Sequence, residues 1–227
     1  MTAEVEVWSG RLDLGAERIA ALRAHLSAAE SAREARFARP ESRDAYAAAR
    51  GQLREVLATR LGVEPASVPL DAGPQGKPRL DPAAGLEDVR FNLAHSGERV
   101  LIAATVGREV GADVERHSPR PRLDALAARI MTPAELAAWQ AESRDDERVR
   151  SFFAAWTLKE AYAKGLGEGL GLHFPDVALR PIADRAGWWR VGPDWLIGEV
   201  EVEPGYSGAV AVERGEAHLR VLDLPRA

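Results

Sequence analysis

One succession of patterns occurs twice along this chain, and it limits the folds open to it. In each half a β-prone alternation leads into Ala/Leu-rich helical stretches, and these give way to further β-prone runs. In the first half Val5 and Val7, with Trp8, alternate with Glu4 and Glu6, a strand pattern. Residues 16–36 read as a helix, Pro40 interrupts, and residues 41–61 resume as a second helix closed by Gly62. A short strand near residues 68–70 precedes the turn-forming segment 73–78. Val89, Phe91 and Leu93 alternate with Arg90 and Asn92, a strand that ends at residues 95–97. Residues 100–106 and 110–114 then read as a hairpin turned by Gly107, Arg108 and Glu109.

The second half repeats the plan. Helical pieces are expected at 122–130, at 133–141 and at 148–164, the second opened by Thr132 with Glu135 three residues on as a capping box. Gly165, Gly167, Gly169 and Gly171 stop the last helix, and strands follow near 178–180, 188–191, 196–202, 209–213 and 218–222. The expectation is an α+β fold of two similar lobes, 1–107 and 108–227, related by a pseudo-twofold.

Several classes of chemistry are excluded. There is no cysteine, so disulfides, thiolate catalysis and zinc–thiolate sites are absent. The acidic opening stretch lacks a basic and then apolar leader. No apolar run approaches the roughly 18 residues of a membrane span, so a cytoplasmic protein is expected. Net charge is 30 − 35 = −5, which argues against a nucleic-acid or membrane-surface binder. Local basic surface is confined to Arg33, Arg36, Arg39, Arg43 and Arg50, and to Arg116, Arg120, Arg122 and Arg129.

Against that background two short segments suggest a site. Asp113 and Glu115 alternate on one strand, so both carboxylates leave the same face about 6–7 Å apart at the root. That spacing lets two monodentate oxygens share a hard divalent cation. Trp156, Glu160 and Lys164 recur every fourth residue and share a helical face. A third carboxylate and two lysines, Lys159 and Lys164, complete a candidate site for a metal-bound, phosphate-rich ligand. Taken singly, the segments are equally a solvated strand end and a surface i,i+4 pair.

With their neighbours these segments resemble the 4′-phosphopantetheinyl transferase superfamily in its single-chain, two-lobe, surfactin-synthetase-activating type. The family's patterns (V/I)G-x-D-(V/I)E and W-x-x-K-E-(A/S)-x-x-K stand here at residues 110–115 and 156–164. Further matches are residues 76–78, 91–96 and 129–135, all in the family's order and spacing. The resemblance implies transfer of the phosphopantetheine arm of coenzyme A to a serine of an apo acyl or peptidyl carrier protein, releasing adenosine 3′,5′-bisphosphate.

By position, Asp113, Glu115 and Glu160 resemble the family's magnesium ligands. Glu160 would also take the serine proton, directly or through a water. Lys159 and Lys164 resemble its pyrophosphate contacts, with Lys164 counted beside Glu160 in the catalytic pair. Lys77 and His95 resemble contacts to the adenosine 3′-phosphate, and Arg43 and Arg50 are the best candidates to join them. One departure is Ala94, where the family often has a serine that offers phosphate a hydroxyl. A monomer is expected. Two rival classes use the same residues: a magnesium-dependent phosphohydrolase with water as nucleophile, and a non-catalytic nucleotide- or carrier-binding module.

Overall fold

The computed structural model describes residues 3–72, 78–86, 88–118, 122–167, 171–213 and 217–225. Strand β1 (Ala3–Arg11) opens the first half and is followed by helices α1 (Ala16–Ala24), α2 (Ala28–Glu34) and α3 (Pro40–Leu61). Two short strands, β2 (Leu70–Ala72) and β3 (Pro78–Leu80), pair with each other, and then come β4 (Val89–Ser96) and β5 (Arg99–Val106). The second half holds β6 (Val110–Arg116), α4 (Leu123–Ile130), α5 (Pro133–Ala141) and α6 (Asp145–Leu166). It ends with β7 (Arg180–Pro181), β8 (Trp188–Val191), β9 (Trp195–Val200), β10 (Tyr206–Glu213) and β11 (Ala217–Asp223).

The expected helix over 16–36 is two helices. Ser27 accepts from the Glu30 backbone N–H while the Glu30 carboxylate accepts from that of Ser27, a capping box that starts α2 anew. α3 and α6 are each 22 residues long and end at a glycine in the left-handed region, Gly62 at φ 68° and Gly167 at φ 75°. Thr132 and Glu135 form the expected capping box on α5.

The two main sheets have strand orders β11-β1-β5-β4 and β6-β10-β9-β8-β7. Alternation along the strands assigns each face. Val100, Ile102, Ala104 and Phe91 pack with Leu53 and Leu57 of α3, while Leu101, Ala103, Val5 and Val7 face Val110, Ala112, Val114, Val210 and Val212 of the other sheet. The far face of the second sheet, with Ala209, Ala211 and Ile197, receives Leu158 and Ala161 of α6. The result is four layers: helix, sheet, sheet, helix. It is α+β, with two similar halves joined through sheet-on-sheet burial of apolar side chains.

Two expectations change here. Residues 100–106 and 110–114 are not a hairpin, because β5 pairs with β1 and β4 whereas β6 pairs with β10. The Gly107 turn instead carries the chain from one sheet to the other. The last strand also leaves its half of the sequence: β11 runs parallel to β1 in the first sheet, Val5 opposite Leu219. A boundary at residue 108 thus separates the two sheets except for β11, which crosses back and ties the halves together.

Candidate active site

β6 and α6 bring the acidic residues together, and two glycines let them. A side chain on Gly111 would run into the carbonyl of Ala161 and the backbone of Gly165, and one on Gly165 would meet the Trp195 ring at 2.5 Å. With neither present, α6 lies directly on the strand. Asp113 is only 3% exposed on β6, and Lys164, one turn beyond Glu160 on α6, donates to its Oδ1 at 2.5 Å. Glu115, two residues along the same strand face, accepts from the Ser96 hydroxyl at 2.8 Å.

The electrostatics show how tightly these groups share space. Burial pushes the Asp113 carboxyl up to about 7. The Lys164 ammonium pulls it down in part, and the charges of Glu115 and Glu160 push it up. Glu160 is likewise raised by burial, with Lys164 opposing and Glu115 adding. His95, at the end of β4, is depressed by desolvation of its ring and then by Lys164, with Glu115 opposing. His95 keeps exposed surface, yet it lies within the field of the same lysine and glutamate.

These residues fit a hard divalent cation in donor chemistry and in charge. All three carboxylates offer oxygen, and when ionised they outnumber the one ammonium by two charges. Asp113 Oδ2 is buried with no hydrogen-bond partner among the described residues, an orphaned acceptor that costs free energy until something fills it. As placed, no three acidic or imidazole side chains among the described residues converge closely enough to hold an ion. Lys164 engages Asp113 Oδ1 and leaves Oδ2 as the oxygen that could meet a cation.

Lys159 corrects an expectation. It is fully buried on another side of α6 and donates to the Ile130 carbonyl at 2.8 Å, the Glu135 carboxylate at 2.6 Å and the Phe174 carbonyl at 3.2 Å. Burial lowers its pKa, with Glu135 opposing. A lysine so saturated ties α6 to α4 and α5 and cannot reach a pyrophosphate. Lys159→Met should destabilise the protein by roughly 3 kcal/mol, the low end for breaking a buried pair because the Glu135 side chain keeps 27% exposure. Urea melts check this, and the coenzyme A KM of the folded fraction should stay unchanged.

Arg43 and Arg50 stand on α3 with partners in the first half. Arg43 donates to the Phe37 carbonyl at 2.8 Å, and Arg50 lies 3.4 Å from the Glu30 carboxylate and over the Tyr46 ring. Neither has a partner in the acidic cluster. Lys77 lies outside the described residues. Trp156 packs against Phe152 at 5.7 Å between centroids, the anchoring role its type suggests.

Sequence reasoning gave no role to three residues that shape this region. Asn92 is buried and accepts from the Ala112 N–H at 2.8 Å, joining β4 to β6. Ser96 holds Glu115. Arg54, 1% exposed, donates to Glu30 and to the carbonyls of Pro65 and Val68, organising the first half. The sequence signal for Asn92 was its place in the family-like stretch 91–96.

Comparison with known proteins gives the family of the chain. Residues 109–211 match the sequence profile of the 4′-phosphopantetheinyl transferase superfamily. Over 213 residues the chain is 35% identical to the 4′-phosphopantetheinyl transferase HetI of Nostoc sp., covering 93% of this chain and 89% of that one. It is 34% identical over 196 residues to a putative 4′-phosphopantetheinyl transferase of Synechocystis sp., covering 82% and 78%. Against the 4′-phosphopantetheinyl transferase Sfp of Bacillus subtilis it is 28% identical over 201 residues, covering 82% and 86%. The chain belongs to the 4′-phosphopantetheinyl transferase superfamily.

Proposed function

We propose that this protein transfers the 4′-phosphopantetheine group of coenzyme A to a serine of an apo carrier protein, as a magnesium-dependent, monomeric, cytoplasmic enzyme. The observation that carries the reading is the juxtaposition of Asp113, Glu115, Glu160 and Lys164 on β6 and α6, in a chain of this family. No helix of the described residues is long and apolar enough to cross a membrane.

In this reading the carrier serine Oγ attacks the phosphorus bearing the pantetheine arm. A new O–P bond forms, the anhydride bond breaks, and adenosine 3′,5′-bisphosphate leaves with the electron pair. Glu160 accepts the serine proton, directly or through a water. Asp113, Glu115 and Glu160 would hold the magnesium ion, which would supply positive charge to offset the pyrophosphate oxygens. Lys164, released from Asp113, turns its ammonium to the same oxygens. His95, with Lys77 and one of Arg43 or Arg50, contacts the 3′-phosphate, whose charge raises the His95 pKa again.

The nucleotide product tests this. With coenzyme A, magnesium and apo carrier, adenosine 3′,5′-bisphosphate should accumulate one for one with modified carrier. A carrier whose target serine is alanine should give none. Nucleotide release without carrier would instead establish a phosphohydrolase.

Carriers are acidic around the target serine, and this chain is itself acidic, so docking needs a local basic patch. Arg116 at the end of the metal strand, Arg122 at the N-cap of α4 and Arg129 on α4 are exposed, while Arg120 lies outside the described residues. Screening over about 8 Å at physiological salt lets such a patch outweigh distant net charge. Reversing Arg122 and Arg129 to glutamate should raise the carrier KM several-fold, flatten its salt dependence and spare the coenzyme A KM. A carrier KM insensitive to salt and to both reversals would place docking on an apolar surface.

A further inference from the structure

The tip of the β4–β5 hairpin belongs to the first sheet, yet the second sheet holds it. The Ser96 hydroxyl donates to Glu115 Oε2 at 2.8 Å and accepts from the Arg116 N–H at 3.2 Å. Gly97 turns the chain at φ 56°, and a side chain there would stand 2.7 Å from the Tyr206 hydroxyl and 2.9 Å from Arg116 Cδ. That same Tyr206 hydroxyl, from β10, accepts from the Glu98 N–H at 3.2 Å. Four residues back, Asn92 grips the Ala112 N–H. Side chains of β4 therefore fix β6 on both sides of Asp113, one at residue 112 and one at 115–116.

We propose that Ser96 is a positioning residue for the metal site: from the other sheet it sets the orientation of the Glu115 carboxylate. This rests on the reading of Asp113, Glu115 and Glu160 as metal ligands. The hydroxyl has one proton to give, and the Arg116 N–H occupies a lone pair, which directs that proton to Glu115. A hydrogen bond to a charged carboxylate is short and strong enough to select one rotamer. Partners of ligating side chains typically contribute 10–100-fold to metal affinity. The site is thereby built from both halves although all its ligands come from the second. Ser96 touches no reacting atom, so its effect belongs to metal affinity and not to the maximal rate.

The test is Mn²⁺ binding, followed by the loss of the free-ion electron paramagnetic resonance signal, in the wild type and in Ser96→Ala, Ser96→Gly, Ser96→Thr and Glu115→Ala. Both truncations should weaken Mn²⁺ about tenfold, Ser96→Thr should bind like wild type, and Glu115→Ala should bind most weakly. In turnover the truncations should raise the magnesium half-saturation by the same factor and leave kcat at saturating metal and the urea midpoint near wild type. Unchanged Mn²⁺ affinity in both truncations, with Glu115→Ala weakened, overturns the role of Ser96 and leaves the metal site standing. Unchanged affinity in Glu115→Ala, or no binding by the wild type, overturns both readings. A loss in kcat at saturating metal with Mn²⁺ affinity intact would overturn the proposal and assign Ser96 to the reaction itself.

Discussion

Asp113→Ala should abolish transfer at millimolar magnesium while the protein remains folded. Asp113 lies at the centre of the acidic group: it pairs with Lys164, feels the charges of Glu115 and Glu160, and carries a buried oxygen with no hydrogen-bond partner among the described residues. Removing it takes away the ligand that burial makes most dependent on a cation. Stability should follow the opposite course. The folded carboxyl holds its proton up to about 7, above its ordinary value of 3.8, so the folded state binds more protons between those values. Stability contributed by this group is therefore present at low pH and lost as pH rises through 7. Without metal, Asp113→Ala should lack that loss, so its thermal melting point should gain on the wild type as pH rises from 4 to 8. Magnesium should stabilise the wild type most at the alkaline end, where no proton competes for the carboxylate. Wild-type turnover by Asp113→Ala at millimolar magnesium would remove the residue from the site.

Glu160→Gln should lower kcat by about 10²–10⁴, the usual cost of losing one positioned base, with a much smaller loss in coenzyme A affinity. The amide keeps the shape and an oxygen for the cation, but it cannot take a proton. Lys164 on the next turn of α6 supports the distinction, because it supplies positive charge to the same ligand and is untouched by the change. Single-turnover rates beside coenzyme A binding by calorimetry separate the two quantities. Equal losses in both would make Glu160 a ligand contact only.

How much of this was legible in the sequence depended on the range of the interactions. The period-2 placement of Asp113 and Glu115 and the i,i+4 placement of Glu160 and Lys164 are local, and the structure brings these residues into one electrostatic group. The ends of α3 and α6 and the Thr132 capping box are equally local. The same rule could have set Lys159 apart, since five residues from Lys164 is about 140° around a helix. The capping box at Ser27 was also readable, but the Ala-rich stretches on either side hid it.

What could not be read is long-range. Strand–turn–strand across Gly107 has the local form of a hairpin, and only the apolar surfaces meeting between the sheets decide that β6 pairs with β10. Nothing in residues 217–223 foretells a parallel seat beside β1. The bond from Ser96 to Glu115 depends on that sheet-on-sheet arrangement, so it too was invisible until the fold was known.

The central claim is a phosphopantetheine transfer that depends on a cation held by β6 and α6. Its most direct test is the intact mass of an apo carrier protein after incubation with this protein and coenzyme A, with magnesium and again with excess chelator. The account predicts a carrier heavier by one phosphopantetheine group in the first sample and an unmodified carrier in the second. An undiminished shift under chelation, or no shift with magnesium across acyl and peptidyl carriers, would contradict it.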